Sequence, residues 1–313
     1  MTLVSVVFSF RNERDNIPTL IKRCDAALTS AGVDYELLFV NDASTDGSVE
    51  TLLQERQRNR RVKIVNMARR FGVAECMRAG MAAATGEAVI YMDADLQDPP
   101  EVIPQLIERW RGGADVVHTV RTRRHGESAL KMSLTRLAYR VIHSASSIEL
   151  PIDAGDFKLL SRKAVDHLLA LRETDPYIRG LTVWIGLNQA FVPYERDARH
   201  AGRTHFPLFS RNPWKTFVMG LTSFSFMPIY AIAVLAGAGL VGAGVLTVSL
   251  AVFAGREYTP AVVMLFTALT FFWASTLAAI AAVGIYVVRI YKDVRGRPQY
   301  IVQSTVGVSD SER

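Results

Sequence analysis

Two long uncharged stretches near the carboxyl end constrain this chain of 313 residues more than any other feature. Residues 216–255 form a run of 40 without a charged side chain, and residues 258–288 add 31 more, with only Arg256 and Glu257 between them. A membrane-spanning helix needs roughly 20 apolar residues. Soluble cores rarely contain 31 uncharged residues in succession, so we predict two membrane helices rather than a buried helical hairpin.

The first stretch is too long for a single span, and Pro228 offers the break within it. We therefore expect the residues before Pro228 to form an amphipathic segment in the membrane interface. The predicted organisation, in chain order, is a domain at 1–210, an interfacial segment at 211–227, two transmembrane helices within 228–288 (about 228–254 and 260–288), and a basic tail at 289–313.

Basic residues flank the predicted helices on one side of the membrane. Arg211 and Lys215 precede the first helix, and four more follow the second: Arg289, Lys292, Arg295 and Arg297. The positive-inside rule predicts that the domain and both termini face the cytosol. Thr2 leads directly into an apolar strand, which does not resemble a signal peptide. We expect a multi-pass protein of the cytoplasmic (inner) membrane.

Composition excludes several other classes of protein. Half of the residues are hydrophobic, 21% are charged and the mean hydropathy is +0.16, which excludes disorder and collagen-like repeats. The two cysteines, Cys24 and Cys76, lack CxxC spacing and predict neither a disulfide scaffold nor a cysteine metal cluster. The net charge of +6 is concentrated at the membrane boundary, so we do not expect nucleic-acid binding.

Strand and helix patterns alternate along the amino-terminal domain. The predicted strands are Leu3–Phe10, Tyr35–Val40, Val62–Met67 and residues 87–95. Helices are expected between them, at about 17–28, 46–57 and 74–84. This alternation predicts an α/β domain with a mainly parallel sheet.

Polar residues follow each predicted strand, at Asn12–Glu13, Asn41–Asp42, Arg69–Arg70 and Asp93–Asp95. Ligands of such sheets bind beyond the carboxyl ends of the strands, so this convergence predicts a binding site. The loop after the first strand has no glycine, and the chain has no GxxxxGK[ST] motif. Both a dinucleotide fingerprint and a P-loop are therefore excluded.

Asp93 and Asp95 are two residues apart at a strand end, which directs both carboxylates to one side. Hard oxygen ligands of this kind suit Mg²⁺ or Mn²⁺ with a bound diphosphate. The alternative is a pair of turn or capping aspartates. The apolar strand before them and the LQDPPE segment after them favour the metal-ligand interpretation.

Six motifs span the chain from the first strand to the tail: VVFSFRNERDN, VNDASTDGS, ARRFG, MDADLQDPPE, GDFKLLSR and YVVRIYKDVRGRPQYIV. They resemble the family 2 glycosyltransferases that load sugars onto polyprenyl phosphates. The resemblance implies a GT-A-type nucleotide-sugar-binding domain followed by a two-helix transmembrane hairpin. It also implies inverting, metal-dependent transfer of a sugar from a nucleotide sugar to an undecaprenyl or dolichyl phosphate.

The resemblance also implies roles for individual residues. The metal, Mg²⁺ or Mn²⁺, would be held by Asp95 and Gln97, with Asp93 contacting the metal or the ribose, and Asp156 matches the catalytic base. The nucleotide would be bound by Phe10, Arg11, Glu13, Asp42, Asp93, Arg121, Arg199 and His205. Arg11 stands where the family often has tyrosine, and His205 where it often has lysine.

Two anions must meet in such a reaction, so cations near the membrane are candidates for binding the acceptor phosphate. These candidates are Lys131, Arg136 and Arg140. An amphipathic helix with solvated charges explains the same residues equally well. The lipid bilayer is the further expected partner, and a homo-oligomer is compatible with the sequence.

Two other functions stay open at this point. Processive polysaccharide synthases carry QxxRW, but the segment Gln105–Trp110 has one residue too many. A non-catalytic membrane scaffold or regulator with this fold would tolerate the departures at Ser9, Arg11 and His205. A UDP-sugar is the favoured donor, GDP-mannose is the alternative, and the lipid-linked sugar would serve cell-envelope biogenesis.

Overall fold

The computed structural model describes residues 2–124, 154–196, 222–253 and 258–308. Its first half alternates strands with helices: β1 Leu3–Phe10, α1 Ile17–Ser30, β2 Asp34–Asn41, α2 Ser48–Arg58, β3 Val62–Met67, α3 Val73–Ala83 and β4 Ala88–Asp93. A 3-10 turn at Pro100–Val102 leads into α4 Ile103–Arg111. The second half contains β5 Val116–Arg124, β6 Ala154–Ser161, α5 Arg162–Ala170, α6 Ile178–Trp184, β7 Gln189–Arg196, α7 Met227–Phe253, α8 Tyr258–Val294 and β8 Val302–Val306.

The eight described strands form one sheet in the order β7-β5-β6-β4-β1-β2-β3-β8. The first four strands pair in parallel, whereas β6 lies antiparallel between β4 and β5, and β8 lies antiparallel to β3 at the edge. Alternate residues of β1 enter two separate cores, Phe8 on one face and Val7 on the other. The central strands are therefore buried on both faces, and the predicted α/β fold with a mainly parallel sheet is confirmed.

Two predicted helix starts differ in their capping. Helix α1 begins at Ile17 as expected, but the side chain of Asn16 does not cap it; its Nδ2 donates to Glu13 Oε2 at 2.6 Å. Helix α2 begins at Ser48, and Asp46 accepts hydrogen bonds from both the backbone N and the Oγ of Ser48. Asp46 therefore supports the start of α2 from two residues before it.

The helices α7 and α8 are 27 and 37 residues long and apolar enough to cross a membrane. The apolar windows of both helices are almost entirely exposed in the isolated chain. Helix α8 extends past residue 288 to Val294, so the start of the predicted tail is helical. The tail then contributes β8, and Asn66 Nδ2 donates to Ser304 Oγ at 3.1 Å across the β3–β8 pair. This return to the sheet was absent from the sequence prediction.

The carboxyl-terminal turns of α8 contact the sheet domain at the loop between α5 and α6. Thr174 N donates to Asp293 Oδ1 at 2.8 Å, and Lys292 Nζ pairs with Asp175. Arg289 donates to two hydroxyl groups just before α7, Thr222 Oγ1 at 2.7 Å and Ser223 Oγ at 3.0 Å. One hydrogen bond and one ion pair thus join α8 to this loop of the sheet domain, and Arg289 joins α8 to the segment before α7.

Gly80 tests how closely α3 packs on the sheet. A Cβ at Gly80 would overlap Val7 Cγ1 and lie 3.0 Å from Val40 Cγ2, because α3 crosses β1 and β2 there. Overpacking costs about 1–3 kcal/mol, against about 1 kcal/mol gained in helix propensity. We expect Gly80→Ala to lower the midpoint of thermal unfolding in detergent. Gly237→Ala is the control, since no atom lies within 4 Å of its added Cβ, and an equal effect of both variants would contradict this packing.

Candidate active site

The loops after β1 and β2 are tied together at the carboxyl edge of the sheet. Asn12 N donates to Ser44 Oγ at 3.0 Å, Thr45 N to Asn12 Oδ1 at 2.8 Å, and Glu13 N to Ser48 Oγ at 3.0 Å. Asn12 and Ala43 have φ values of 58° and 56°, in the left-handed region that glycine adopts most easily. Glu13 therefore lies at this edge, as predicted, with its carboxylate bonded to Asn16.

Asp42 connects the loop after β2 to the loop after β3. Its Oδ1 accepts hydrogen bonds from Phe71 N at 2.7 Å and Gly72 N at 3.3 Å. The guanidinium of Arg69 lies 3.9 Å from the centre of the Phe71 ring. Asp42 thus lies where a nucleotide ligand is predicted, but its Oδ1 already accepts hydrogen bonds that hold the loop after β3.

Phe10 is buried in the core. Its side chain is 4% exposed and packs edge-on against Phe39, with ring centres 6.2 Å apart. The ring belongs to the core because the alternation along β1 turns it away from the site. The ring is therefore not exposed at the site, and nucleotide binding by Phe10 stays a prediction. Arg11, the next residue, is partly buried, and its Nε has no hydrogen-bond partner within the described residues.

Asp93 ends β4 and is positioned by a buried chain of hydroxyl groups. Ser9 Oγ lies 2.7 Å from Tyr91 OH, which donates to Asp93 Oδ1 at 3.2 Å. The chain then turns sharply, because the buried Leu96 has a φ of 61°. Gln97 N donates to Asp95 Oδ1 at 3.2 Å inside this turn. The turn keeps Asp95 and Gln97 beside the end of β4.

Carboxylates crowd around Asp93. Burial raises the pKa of Asp93 well above its ordinary value, and the charges of Asp95, Asp98 and Asp156 raise it further. Mutually repelling oxygen ligands of this kind are satisfied by a hard divalent cation, so Asp93, Asp95 and the Gln97 amide fit Mg²⁺ or Mn²⁺. Among the described residues, however, no three His, Cys, Asp or Glu side chains form a complete metal cluster.

Asp98 is the centre of a buried group that the sequence analysis missed. Its side chain is 1% exposed, and its Oδ1 accepts a hydrogen bond of 2.5 Å from Tyr194 OH and lies 3.4 Å from Arg196 Nε. The predicted phosphate ligand Arg121 donates its Nε to the same Tyr194 hydroxyl at 3.0 Å. Arg121 also lies so close to Gly155 that a Cβ there would be 2.7 Å from its Nη2. Arg121 is thereby held beside Asp156.

Asp156 lies at the start of β6, and the antiparallel register sets it against the end of β4. Tyr91 pairs with Lys158, so continuing the register by two residues sets Asp156 level with Asp93. Arg179 on α6 binds both carboxylate oxygens of Asp156, Nε to Oδ1 at 2.8 Å and Nη2 to Oδ2 at 2.6 Å. Nothing in the sequence around Arg179 marked it as a partner.

The pKa of Asp156 reflects opposing effects. Burial alone would raise it, but the charge and hydrogen bonds of Arg179 outweigh burial and hold the pKa well below its ordinary value, with help from Lys158 and Arg121. Lys158 is itself buried and donates to Thr182 Oγ1 at 3.3 Å. Burial lowers the pKa of Lys158 to about 8 despite the nearby charge of Asp156. Asp156 is therefore ionised at neutral pH.

Five predicted site residues lie outside the described residues. They are the acceptor-phosphate candidates Lys131, Arg136 and Arg140, and the nucleotide-binding candidates Arg199 and His205. The described part of the site unites Arg11, Glu13, Asp42, Asp93, Asp95, Gln97, Arg121 and Asp156 along one edge of the sheet.

Comparison with protein families identifies the family to which the chain belongs. The model of glycosyl transferase family 2 matches residues 5–169, more than half of the chain. The chain belongs to glycosyl transferase family 2. The enzyme is a glycosyltransferase, of class EC 2.4, and the GT-A-type α/β fold that the resemblance implied is confirmed by the family match and the sheet together.

Two relatives of this glycosyltransferase match nearly its whole length. YkcC of Bacillus subtilis (strain 168), an uncharacterized glycosyltransferase, is 37% identical over 98% of this chain and 95% of its own. The SfII prophage-derived bactoprenol glucosyl transferase of Shigella flexneri is 31% identical over 96% of this chain and 98% of its own. A solved structure, the mannosyltransferase PcManGT from Pyrobaculum calidifontis with GDP-Man and Mn²⁺, is 16% identical over 88% of this chain and 86% of that one, with a TM-score of 0.48, too distant to support any inference.

Tyr194 tests whether the Asp98 group supports the site. We expect Tyr194→Phe to lower the free energy of unfolding by about 1–3 kcal/mol, because the buried Asp98 carboxylate loses a donor. Transferase activity should fall as well, since Arg121 loses the hydroxyl that holds it.

The matched control is Tyr35→Phe, which removes a similar hydrogen bond of 3.0 Å to Asp25, away from the site. Both variants should lose stability, and only Tyr194→Phe should lose activity. Urea unfolding and initial rates measure the two effects. Full activity of Tyr194→Phe would show that Arg121 is positioned by other contacts.

Proposed function

We propose that this glycosyltransferase transfers a sugar, with inversion, from a nucleotide sugar to a polyprenyl phosphate at the cytosolic face of a membrane. A UDP-sugar is the favoured donor, with GDP-mannose as the alternative. One observation carries the proposal. Asp93 at the end of β4 and Asp95 just after it lie across from Asp156 at the start of β6, and Arg179 binds Asp156 through two hydrogen bonds. On this proposal, the end of β4 supplies ligands for a metal ion that binds the diphosphate. Asp156 on the adjacent strand β6, with its partner Arg179, orients the acceptor phosphate.

The donor nucleotide lies, on this proposal, along the loops after β1 and β2. The carboxylates of Glu13 and Asp42 accept hydrogen bonds from the nucleotide base and from the ribose hydroxyl groups. The unpartnered Nε of Arg11 is a donor that a bound nucleotide would satisfy. Because the Phe10 ring is in the core, base stacking falls to the guanidinium plane of Arg11 rather than to an aromatic side chain.

Asp93, Asp95 and Gln97 would hold Mg²⁺ or Mn²⁺. Such an ion, when bound, neutralises charge on the departing diphosphate. Arg121, bonded to Tyr194, adds a permanent positive charge from β5, on the far side of β6. The leaving group thus departs into a region where the chain supplies both oxygen ligands and a guanidinium.

The chemistry is a single displacement. An oxygen of the acceptor phosphate forms a bond to the anomeric carbon of the sugar. The bond from that carbon to the donor diphosphate breaks, and its electron pair stays on the diphosphate oxygen. A phosphate monoester has a second pKa of about 6 and is largely dianionic at neutral pH, so little proton removal is needed. Asp156 orients the acceptor, and once the ion pair with Arg179 that lowers its pKa has opened, its carboxylate can accept the proton of the fraction that arrives as monoanion.

The acceptor class is supported by the apolar helices and by a relative. The helices α7 and α8 are long and apolar enough to anchor the enzyme in a membrane, where a polyprenyl phosphate resides. The Shigella flexneri relative is a bactoprenol glucosyl transferase, and the match covers 96% of this chain, the helices included. Basic residues around the helices favour an orientation with the domain in the cytosol.

Purified enzyme with undecaprenyl phosphate and Mn²⁺ tests the proposal directly. UDP-glucose, UDP-GlcNAc, UDP-galactose and GDP-mannose are offered separately, each with and without EDTA. Lipid-linked product from one donor, lost in EDTA, is the expected result and names the sugar. No product from any donor, together with no binding of UDP or GDP, would favour a scaffold that only keeps the fold.

Asp95 provides the sharpest variant. We expect Asp95→Asn to reduce transfer by at least about a hundredfold, since it weakens the site that would hold the divalent cation on the departing diphosphate. The folded state should persist, because relieving repulsion with Asp93 offsets the lost ligand. Asp166→Asn, on the exposed face of α5, is the control and should retain full activity. Rates and melting curves are measured on both, and an active Asp95→Asn enzyme contradicts the metal site.

A further inference from the structure

Arg179 has no assigned role in the proposed reaction beyond its pairing with Asp156. That pairing is bidentate, and both side chains reach the surface: Arg179 is 27% exposed and Asp156 is 26% exposed. The ion pair is therefore only partly buried, and solvent reaches both of its side chains. A planar guanidinium fork matches two oxygens of a phosphate as well as it matches two oxygens of a carboxylate.

Two other cations act on Asp156, and both are more buried than Arg179. Lys158 is buried and bonded to Thr182. The side chain of Arg121 is 12% exposed and donates to Tyr194 beside Asp98. Of these three cations around Asp156, Arg179 has the most accessible guanidinium.

Helix α6 also lies against the segment that enters the apolar helices. Gly180, the residue after Arg179, touches the ring of Phe224 so closely that a Cβ there would overlap it. Phe224 also lies 6.3 Å, ring centre to ring centre, from Tyr177, and α7 begins only three residues later at Met227. The ring of Trp184 at the end of α6 is 54% exposed. Arg179 is thus held on the element of the active site that adjoins the start of the apolar hairpin.

We propose that Arg179 receives the phosphate of the lipid acceptor, which displaces the Asp156 carboxylate from the guanidinium. The identity of this acceptor rests on the proposed function; the anion-binding role rests on the geometry of Arg179. The displacement leaves Asp156 beside the bound phosphate, where it can take the proton of a monoanionic acceptor: the phosphate O–H bond breaks and a carboxyl O–H bond forms on Asp156. Arg179 then binds the reacting phosphate, and the ion pair with Asp156 is its state before the acceptor arrives.

The proposal predicts opposite effects for the two partners of the ion pair. Arg179→Gln should raise the KM for undecaprenyl phosphate by about tenfold or more, the effect of losing a charge-assisted hydrogen bond. Arg179→Lys should be intermediate, because an ammonium group keeps the charge and loses the fork. Asp156→Asn should bind undecaprenyl phosphate more tightly while turning over slowly, since the competing carboxylate charge is gone.

Arg23→Gln is the matched control. Arg23 forms the same bidentate geometry with Glu101, at 2.8 and 2.6 Å, on α1 away from Asp156. Initial rates are measured in nanodiscs over a range of undecaprenyl phosphate at saturating donor, and UDP binding with Mn²⁺ is measured separately by calorimetry. We expect UDP affinity within about twofold of wild type in every Arg179 variant, and wild-type kinetics for Arg23→Gln.

An unchanged acceptor KM in Arg179→Gln would overturn the proposal. A fall in kcat alone, with a displaced pH profile, would make Arg179 a positioning residue for Asp156 and would equally overturn it. If Arg179→Gln does not fold, the Arg179→Lys and Asp156→Asn variants test the proposal instead. If Asp156→Asn binds the acceptor no more tightly than the wild-type enzyme, the phosphate does not displace the Asp156 carboxylate from Arg179. Absence of transfer to undecaprenyl phosphate by the wild-type enzyme would instead refute the proposed function, and the acceptor role of Arg179 with it.

Discussion

The repulsion among aspartates at the end of β4 is the constraint on which the rest of the site depends. Asp93, Asp95, Asp98 and Asp156 lie close enough to raise the pKa of Asp93 by their charges, Asp95 and Asp98 are buried, and uncompensated burial of such charges would cost several kcal/mol per ion. Other side chains of the protein compensate two of these charges. Asp98 accepts a hydrogen bond from Tyr194 and pairs with Arg196, and Asp156 pairs with Arg179. Asp93 and Asp95 remain the pair that a divalent cation would complete.

The sheet topology creates this concentration of charge. Parallel pairing of β3, β2, β1 and β4 brings four loops to one edge, as in other α/β domains. The antiparallel β6 then begins where β4 ends, so Asp156 arrives opposite Asp93 from more than 60 residues further along the chain. Helix α6 adds Arg179 from the side that contacts the segment before α7. The residues proposed to act on the donor and on the acceptor therefore lie along two neighbouring strands, β4 and β6.

The sequence was sufficient for those features that local patterns determine. Strands β1 and β3 have the predicted bounds, and the polar residues at the strand ends converge because parallel strands must end at one edge. Features that depend on distant contacts were not predictable. Arg121 is bonded to Tyr194, and β8 pairs with β3 across more than 200 residues. Arg179 has no local motif, and its role follows only from the position of α6.

The central claim is that the nucleophile is a phosphate oxygen carried by a lipid. The most direct measurement compares undecaprenyl phosphate with undecaprenol as acceptors, at equal concentration in the same nanodiscs and with the same labelled donor. The two lipids differ only in the phosphate that Arg179 and Asp156 are proposed to handle. The account predicts labelled, acid-labile product from undecaprenyl phosphate and none from undecaprenol. Equal transfer to both lipids would contradict it.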